Sequence, residues 1–466
     1  MLFDCEPCTQ ELAANEKNAR TGRGRRKREP AKRNSERREG TGRKNNGNHV
    51  VQSVRPPGGG TTTVRRSSME MTMICCPFRT SYGSYASSLM AAIERKTGSK
   101  MKWVASNCGC GDPIEVSRSF QAQHCDYFEM PIITDYRSKA AWRRRVRGLA
   151  RSGISYLRAK KYAQLSKEAD VVHFQQILNS YGSNAVFHWL KQPSRAIRVV
   201  TVHELDPDQL EFPERNKTYE LADGIIVHCE EMKKQMVKLS VPEDKIHVVL
   251  HGATVPVSLP ETPRSGIMFY AGHKVMTNKG IQTLFQAMAI IQKRMGEKTP
   301  TLKIHGHYGE TVPREAEKLA AASGLASRVV WLNQLTIEEM ARQYQRALLC
   351  VLPYTGSFAG LSAAIAAANE LPVVCTKKAG LPDHLGDCAV WVDEGNPEQL
   401  ADRIMELLEC GERRRELGAR LVERAKDFLS WDVIAERTLT VYATSARKKA
   451  AIARLPPLPL KNRRGL

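Results

Sequence analysis

The chain has 466 residues, 42% of them hydrophobic, and a formal net charge of +22. That length supports two or three domains with large cores. No window approaches the roughly 20 consecutive apolar residues of a membrane-spanning helix, and no apolar leader follows Met1, so a cytoplasmic protein is expected.

The 12 cysteines are scattered. Cys5-x-x-Cys8 has no second pair, and Cys108-Gly-Cys110 is too tight for the usual zinc spacing. Reduced thiols and no metal are therefore expected. Residues 1–68 carry about +9 of the charge and almost no aromatic side chains. They read as a disordered basic tail, or as an extension ahead of a working protein that begins near Met69. Nucleic-acid binding by this arm is the lesser alternative, and nucleic acid is not expected as a partner.

Met71–Cys76 predicts a strand, Pro77–Ser84 a glycine loop around Gly83, and Tyr85–Lys96 a helix. This is the opening unit of a doubly wound domain, without the G-x-G-x-x-G pattern of NAD binding. Met101–Ala105 predicts the next strand. Arg137–Tyr162 contains no acidic residue and spaces Trp142, Val146, Leu149 and Leu157 at helical intervals. Such a basic amphipathic helix suits an anionic membrane surface; a solvated surface helix is the plain alternative. Strands at Asp170–Phe174, Arg198–His203, Gly224–His228 and Lys245–Leu250 then alternate with helices at Ser183–Leu190, Asn216–Ala222 and Glu230–Leu239. This pattern implies a parallel sheet covered on both faces.

His251-Gly252 and Pro256–Gly266 read as a linker. A second series follows, with strands at Ile267–Ala271, Thr301–Gly306, Val329–Leu332, Leu348–Pro353, Leu371–Thr376 and Ala389–Val392. Its helices are Ile281–Arg294, Val312–Ser323, Thr336–Ala347, Leu361–Asn369 and Pro397–Leu408, the third opened by Thr336 and Glu339 at capping-box spacing. Glu412–Tyr442 reads as a long helix broken near Ser430-Trp431, and 449–466 as a flexible tail.

The chemistry concentrates in Tyr354–Val374, YTGSFAGLSAAIAAANELPVV. A loop with Gly356, Ser357 and Gly360 feeds a small-residue helix. First-turn N–H groups at such a helix start point outward unpaired and suit an anion. A phosphate seat at the carboxyl edge of a parallel sheet is one reading; an ordinary tightly packed crossover is the other.

Two βα series, a linker after His-Gly, Gly272 with Lys279-Gly280, the LPYTGSFAGLSAAIAAANELPVV stretch, Asp393–Pro397 and FLSWDVIAERTLTVY agree in order. DVVHFQQ, VVTVHELDP and ADGIIVHCEEMKKQM add to them. Over about residues 71–445 the sequence resembles the GT-B glycosyltransferases, above all the retaining family 4. The resemblance implies an α/β fold of two Rossmann-like doubly wound domains with an interdomain cleft. The domains would be 69–250 for the acceptor and 251–430 for the nucleotide sugar, with a helix at 431–448 returning to the first. It implies transfer of a sugar from a nucleoside-diphosphate sugar to a glycan, lipid-linked or small-molecule acceptor, in polysaccharide biosynthesis, without cofactor or metal. Lys279 would pair with the diphosphate. Gly280, Gly360, Leu361, Ser362 and Ser357 would line the donor site, Gly83 would approach from the other side, and His203 would face the sugar and acceptor.

The sequence departs from the family pattern at four places. The family arginine is His273, with Lys274 beside it. The two family glutamates are Ser357 and Ile365, and a family glycine is Glu370. The alternative is thus a catalytically impaired GT-B protein that binds a nucleotide or glycan. An epimerase or phosphorylase ranks last. Association with the inner face of a membrane through 137–162 is a further expectation.

Overall fold

Apolar residues gathered into short runs build two parallel sheets. The computed structural model describes residues 69–75, 81–106, 125–130, 157–175, 189–205, 217–259, 263–272, 278–306, 314–332, 335–356 and 360–453, except 158, 165 and 379. The first sheet contains β1 (Glu70–Cys75), β2 (Lys100–Ser106), β3 (Cys125–Met130), β4 (Val171–Gln175), β5 (Ile197–Val202), β6 (Gly224–Val227) and β7 (Ile246–Val248). Its order is β3-β2-β1-β4-β5-β6-β7. The second contains β8 (Ile267–Tyr270), β9 (Leu302–His305), β10 (Val329–Leu332), β11 (Leu349–Leu352), β12 (Val373–Thr376) and β13 (Val390–Val392), in the order β10-β9-β8-β11-β12-β13. Central strands such as β4, β6, β11 and β12 are buried along their whole length, which explains their continuous hydrophobic runs.

The helices are α1 (Ser81–Thr97), α2 (Lys217–Glu220), α3 (Glu230–Lys238), α4 (Ile281–Met295), α5 (Arg314–Ala322), α6 (Ile337–Gln345), α7 (Leu361–Ala368), α8 (Leu381–Leu385), α9 (Pro397–Glu409), α10 (Gly411–Arg424) and α11 (Trp431–Ala453). The capping box at α6 forms as expected: Thr336 accepts from the Glu339 N–H, and the Glu339 carboxylate accepts from the Thr336 N–H at 2.8 Å. This satisfies two otherwise orphaned donors.

Three expectations need correction. Helix α1 begins at Ser81, so Gly83 lies buried in its first turn and not in a loop. The inner face that carries Tyr85, Leu89 and Ile93 simply extends back one turn. Strand β3 went unread because CDYFEM has two carboxylates breaking its apolar run, which an edge strand tolerates. Residues 449–453 of the expected tail are helical. Helix α11 continues to Ala453, and Lys449 Nζ lies 2.9 Å from the Asp223 carboxylate of the first sheet's side. The basic arm 1–68, most of 137–162 including Trp142, Val146 and Leu149, and 454–466 lie outside the described residues.

Helix α11 is anchored to the first sheet by a buried polar contact. Tyr442 OH lies 2.7 Å from His173 Nδ1, whose Nε2 meets Thr201 Oγ1 at 2.7 Å. Burial pushes His173 down to about 3, and it does the same to His305 inside the second sheet. Both rings are therefore neutral in the fold, whereas unfolded imidazoles titrate near 6.5. From there down to about pH 3 the unfolded chain binds protons that the native chain does not. Stability thus falls as the pH drops through that window, by about 1.4 kcal/mol per pH unit for each ring.

Glu370 occupies the left-handed position that ends α7, with φ 52, where glycine is usual. Its carbonyl accepts from Arg264 Nη1 at 3.0 Å and packs against Gly418, where an added Cβ would come within 2.6 Å. Glu370→Gly is expected to raise the urea midpoint by up to about 1 kcal/mol of stability, while Glu370→Ala, which keeps a Cβ, leaves it near wild type. A midpoint that moves equally in both variants would contradict this account. His173→Gln should flatten the rise of the denaturation midpoint with pH between about 4.5 and 6 by close to one proton, and an unchanged slope would contradict the buried neutral ring.

Candidate active site

Each sheet reverses its direction of growth once, between β1 and β4 and between β8 and β11. Open α/β sheets hold ligands outside the carboxyl ends of their strands at such points. In the second sheet those ends lead into 271–280 after β8 and 353–360 after β11. These are the segments that carry Lys279 and the start of α7.

Lys279 is only 6% exposed. Its Nζ lies 4.2 Å from the centroid of the Tyr354 ring and 5.6 Å from that of Tyr270. Burial pushes the ammonium down to about 7, opposed by the negative charge of Glu204. The next residue, Gly280, has φ 69, and an added Cβ would lie 1.9 Å from the Pro353 carbonyl oxygen. Glycine there lets the lysine loop lie directly on the strand end of β11. Asn278 fastens the two segments together. Its carbonyl accepts from the Thr355 N–H at 3.1 Å, and its Nδ2 donates to the Gly356 carbonyl at 3.1 Å.

Tyr354 joins this loop to the helix start. Its hydroxyl donates to the Tyr270 carbonyl at 2.9 Å and lies 3.2 Å from Ser362 Oγ in the first turn of α7. Gly360 caps that helix, and an added Cβ would fall 2.2 Å from His384 Nε2. His384 in turn spans to the linker. Its Nδ1 donates to the Gly380 carbonyl at 2.7 Å, which leaves Nε2 to accept from the His251 N–H at 3.0 Å. Burial holds this imidazole neutral, pushed down to about 4.

His203 follows β5 and is buried. Both of its ring nitrogens have partners inside the protein. Nδ1 lies 3.0 Å from His228 Nε2, and Nε2 lies 3.0 Å from Gln175 Oε1. His228 donates from Nδ1 to the Val249 carbonyl at 2.9 Å. As a neutral ring, pushed down to about 4 mainly by burial, it then accepts at Nε2. His203 therefore donates from Nδ1 and keeps a lone pair on Nε2, which asks the Gln175 amide to turn its NH₂ toward it. The His203 imidazole is held well below its ordinary value by burial and by the neighbouring histidines. The packing of Tyr85 edge-on against His203, His228, His251 and Trp431 completes this dry cluster.

The structure thus brings Lys279, Gly280, Gly360, Leu361 and Ser362 together, places His203 one layer inward, and puts Gly83 in α1. His273, Lys274 and Ser357 lie outside the described residues. Ile365 is buried in α7, 4% exposed. Sequence reading missed Tyr354, Asn278, His384 and the exposed Glu204. For Glu204 the available signal was an acid placed just past the end of a strand. Among the described residues no group of three or more His, Cys, Asp or Glu could hold a metal ion, and no helix is long and apolar enough to cross a membrane.

Comparison with known proteins places these features. The family model described as glycosyl transferases group 1 matches residues 265–410, and that of glycosyltransferase family 4 matches residues 118–255. A D-inositol 3-phosphate glycosyltransferase of Corynebacterium diphtheriae is 29% identical over 246 residues, 48% of this chain and 57% of that protein. An MMP alpha-(1->4)-mannosyltransferase of Mycolicibacterium hassiacum is 26% identical over 221 residues, 46% of this chain and 52% of its own. The chain thus spans little more than half the length of the curated relatives it matches. Among solved structures, the sucrose-phosphate synthase of Thermosynechococcus elongatus superposes with a TM-score of 0.62 at 18% identity, covering 82% of this chain and 100% of that one. Anabaena HepE in complex with UDP does so with 0.60 at 13% identity, covering 81% and 100%. By its pair of parallel sheets and its structural neighbours the chain has the GT-B fold, and its two matched segments are similar to glycosyltransferases of group 1 and family 4.

Proposed function

We propose that the protein is a retaining glycosyltransferase that moves a sugar from a nucleoside-diphosphate sugar to a glycan, lipid-linked or small-molecule acceptor. The observation that carries this reading is the junction of Lys279 with the first turn of α7 through Tyr354 and Ser362. An ammonium and a helix start joined through one tyrosine would suit a departing diphosphate, whose negative charge grows as the sugar leaves. Because both are fixed beforehand in a dry setting, they need little reorganisation as the bond breaks. Relatives with glycosyltransferase names, and a UDP complex with the same fold, support the reading.

The charge state of Lys279 gives the proposal a measurable sign. Burial holds the Lys279 ammonium down at about 7. A diphosphate beside it would pull its pKa up, so binding takes up a proton, and affinity falls as the pH rises above about 7. Contact of the basic stretch 137–162 with an anionic membrane remains part of the proposal, resting on its sequence.

A second reading has one observation in its favour. Ile365 stands where the family carries a glutamate for the nucleotide ribose, and isoleucine accepts no hydrogen bond. A protein that binds the donor without turning it over would use the same anion seat.

Lys279→Ala is expected to cut turnover about 100-fold in an assay of sugar release from a panel of nucleotide sugars. Turnover within threefold of wild type would overturn the role given to Lys279, while no wild-type turnover with any nucleotide sugar, together with nucleotide binding that the variant loses, would sink the enzymatic reading and favour the second one. Wild-type affinity for a nucleoside diphosphate should drop up to about tenfold per pH unit between pH 7.5 and 9, and Lys279→Met should be weak and flat across that range. Calorimetry in buffers of different ionisation enthalpy reads the proton uptake directly.

A further inference from the structure

We propose that Tyr354 is a positioning residue that uses its two ends for two tasks: its ring holds the Lys279 ammonium, and its hydroxyl ties that ring to the start of α7. The proposal rests on the nucleotide-sugar reading for its purpose but on geometry for its substance.

Tyr354 is fully buried, at 0% exposure. The Lys279 Nζ sits over its ring at 4.2 Å, inside the range in which an aromatic quadrupole attracts a cation. At the far end, the hydroxyl bonds the Tyr270 carbonyl at 2.9 Å and reaches Ser362 Oγ at 3.2 Å. The residue's own carbonyl accepts from Thr376 Oγ1 at 2.6 Å, which locks it to β12. A hydroxyl held at two places, on a main chain held at a third, leaves the ring one orientation. Whatever fixes the ring therefore fixes where the ammonium stands relative to the first-turn N–H groups of α7.

The lysine loop is constrained from the other side as well. Asn278 clasps Thr355 and Gly356 through main chain and side chain, and Gly280 lies against Pro353 with no room for a Cβ. The ammonium is thus confined between a clasp and a ring. A lysine is otherwise a flexible four-carbon tether that loses much rotamer freedom when it binds an anion. Here that freedom is already gone before a ligand arrives, which is the general route to tighter binding without new contacts.

The ring also sets how readily Lys279 stays charged. Burial disfavours the ammonium, and the aromatic face offsets part of that cost. Replacing the ring by an aliphatic side chain of similar bulk keeps the site dry but removes the attraction, so the neutral amine should gain ground. Replacing tyrosine by phenylalanine keeps the attraction and cuts the tie to α7.

The test separates these roles with Tyr354→Leu and Tyr354→Phe. The first readout is the pH dependence of Lys279 acetylation by a pulse of acetic anhydride, quantified on its peptide by mass spectrometry; it needs no ligand. Tyr354→Leu is expected to lower the midpoint of labelling by about one pH unit relative to wild type, and Tyr354→Phe to leave it in place. The second readout is binding of uridine, guanosine and adenosine diphosphates. The nucleotide that binds wild type should bind Tyr354→Phe several-fold more weakly and Tyr354→Leu more weakly still, with its optimum moved to lower pH. A midpoint that is unchanged or raised in Tyr354→Leu overturns the ring's role. Full affinity in Tyr354→Phe overturns the tether. Should Tyr354→Leu not fold, a midpoint displaced in Tyr354→Phe overturns the proposal by itself. If none of the three nucleotides binds wild type while the labelling shifts appear as stated, the positioning holds and the donor assignment fails.

Discussion

A buried ammonium is the constraint around which the second sheet's ligand edge is arranged. Removing Lys279 from water costs several kcal/mol in the charged form unless something replaces its hydration. The structure supplies an aromatic face, a nearby carboxylate at Glu204 and a loop that cannot relax away. These offset only part of the cost, which is why the group comes to rest near neutrality. An anion that enters the site completes the compensation. In a dry setting each charge interaction counts for more than it would in water, so the ring and Glu204 matter more to this ammonium than they would to an exposed one.

That edge depends on how the two sheets are joined. His251 and Gly252 link them, and Trp431 lies so close over Gly252 that an added Cβ would meet its ring at 2.6 Å. The linker runs beside the chain's return, where the Ala253 N–H donates to the Leu429 carbonyl at 2.8 Å. His384, next to the start of α7, accepts from the His251 N–H. Asp383 takes a hydrogen bond from the Glu230 N–H at the start of α3, although burial raises its pKa overall. Helix α3 has no side-chain cap of its own, so a carboxylate from the other sheet's side satisfies one of its orphan donors. The same few residues of α8 thus touch the anion seat, the linker and a helix of the first sheet. A shift of one sheet's elements against the other would be felt at Gly360 without any contact to a ligand.

Most of the fold could be read from the chain, because a parallel sheet buried on both faces leaves a plain trace of apolar runs separated by helical spacing. The strands from β8 to β13 fall within a residue or two of their expected bounds, and Thr336 with Glu339 announced its helix. Three failures have physical causes. Strand β3 carries acids that an edge permits. Helix α1 absorbs Gly83, since a glycine in a first turn looks the same in sequence as one in a loop. Helix α11 outruns the apolar signal because lysines at 448 and 449 are used as ion-pair partners for Asp244 and Asp223. At the site, Lys279, Gly280, Gly360 and Ser362 were legible through glycine spacing and resemblance. Tyr354 and Asn278 were not, because nothing in a sequence tells a tyrosine that fills a core from one whose ring carries a cation. His203 was legible as a residue but not in its setting: both nitrogens are claimed by neighbours that arrive from β4 and β6, a juxtaposition only the sheet order creates.

The departures from the family pattern then form one coherent picture. An isoleucine replaces the ribose-binding glutamate in α7, and every residue of that helix after Leu361 is buried. This helix is packed with small and apolar side chains along its whole length, and Glu370 at its end keeps a backbone angle that glycine would hold more cheaply. Ile365 accepts no hydrogen bond, so the polar groups of this edge lie elsewhere. The candidates on this edge are electrostatic: the ammonium, the helix start and the ring that holds them together. Glu204 belongs to the same arrangement: it stands exposed just past the strand end of β5, and its negative charge favours the Lys279 ammonium that burial disfavours.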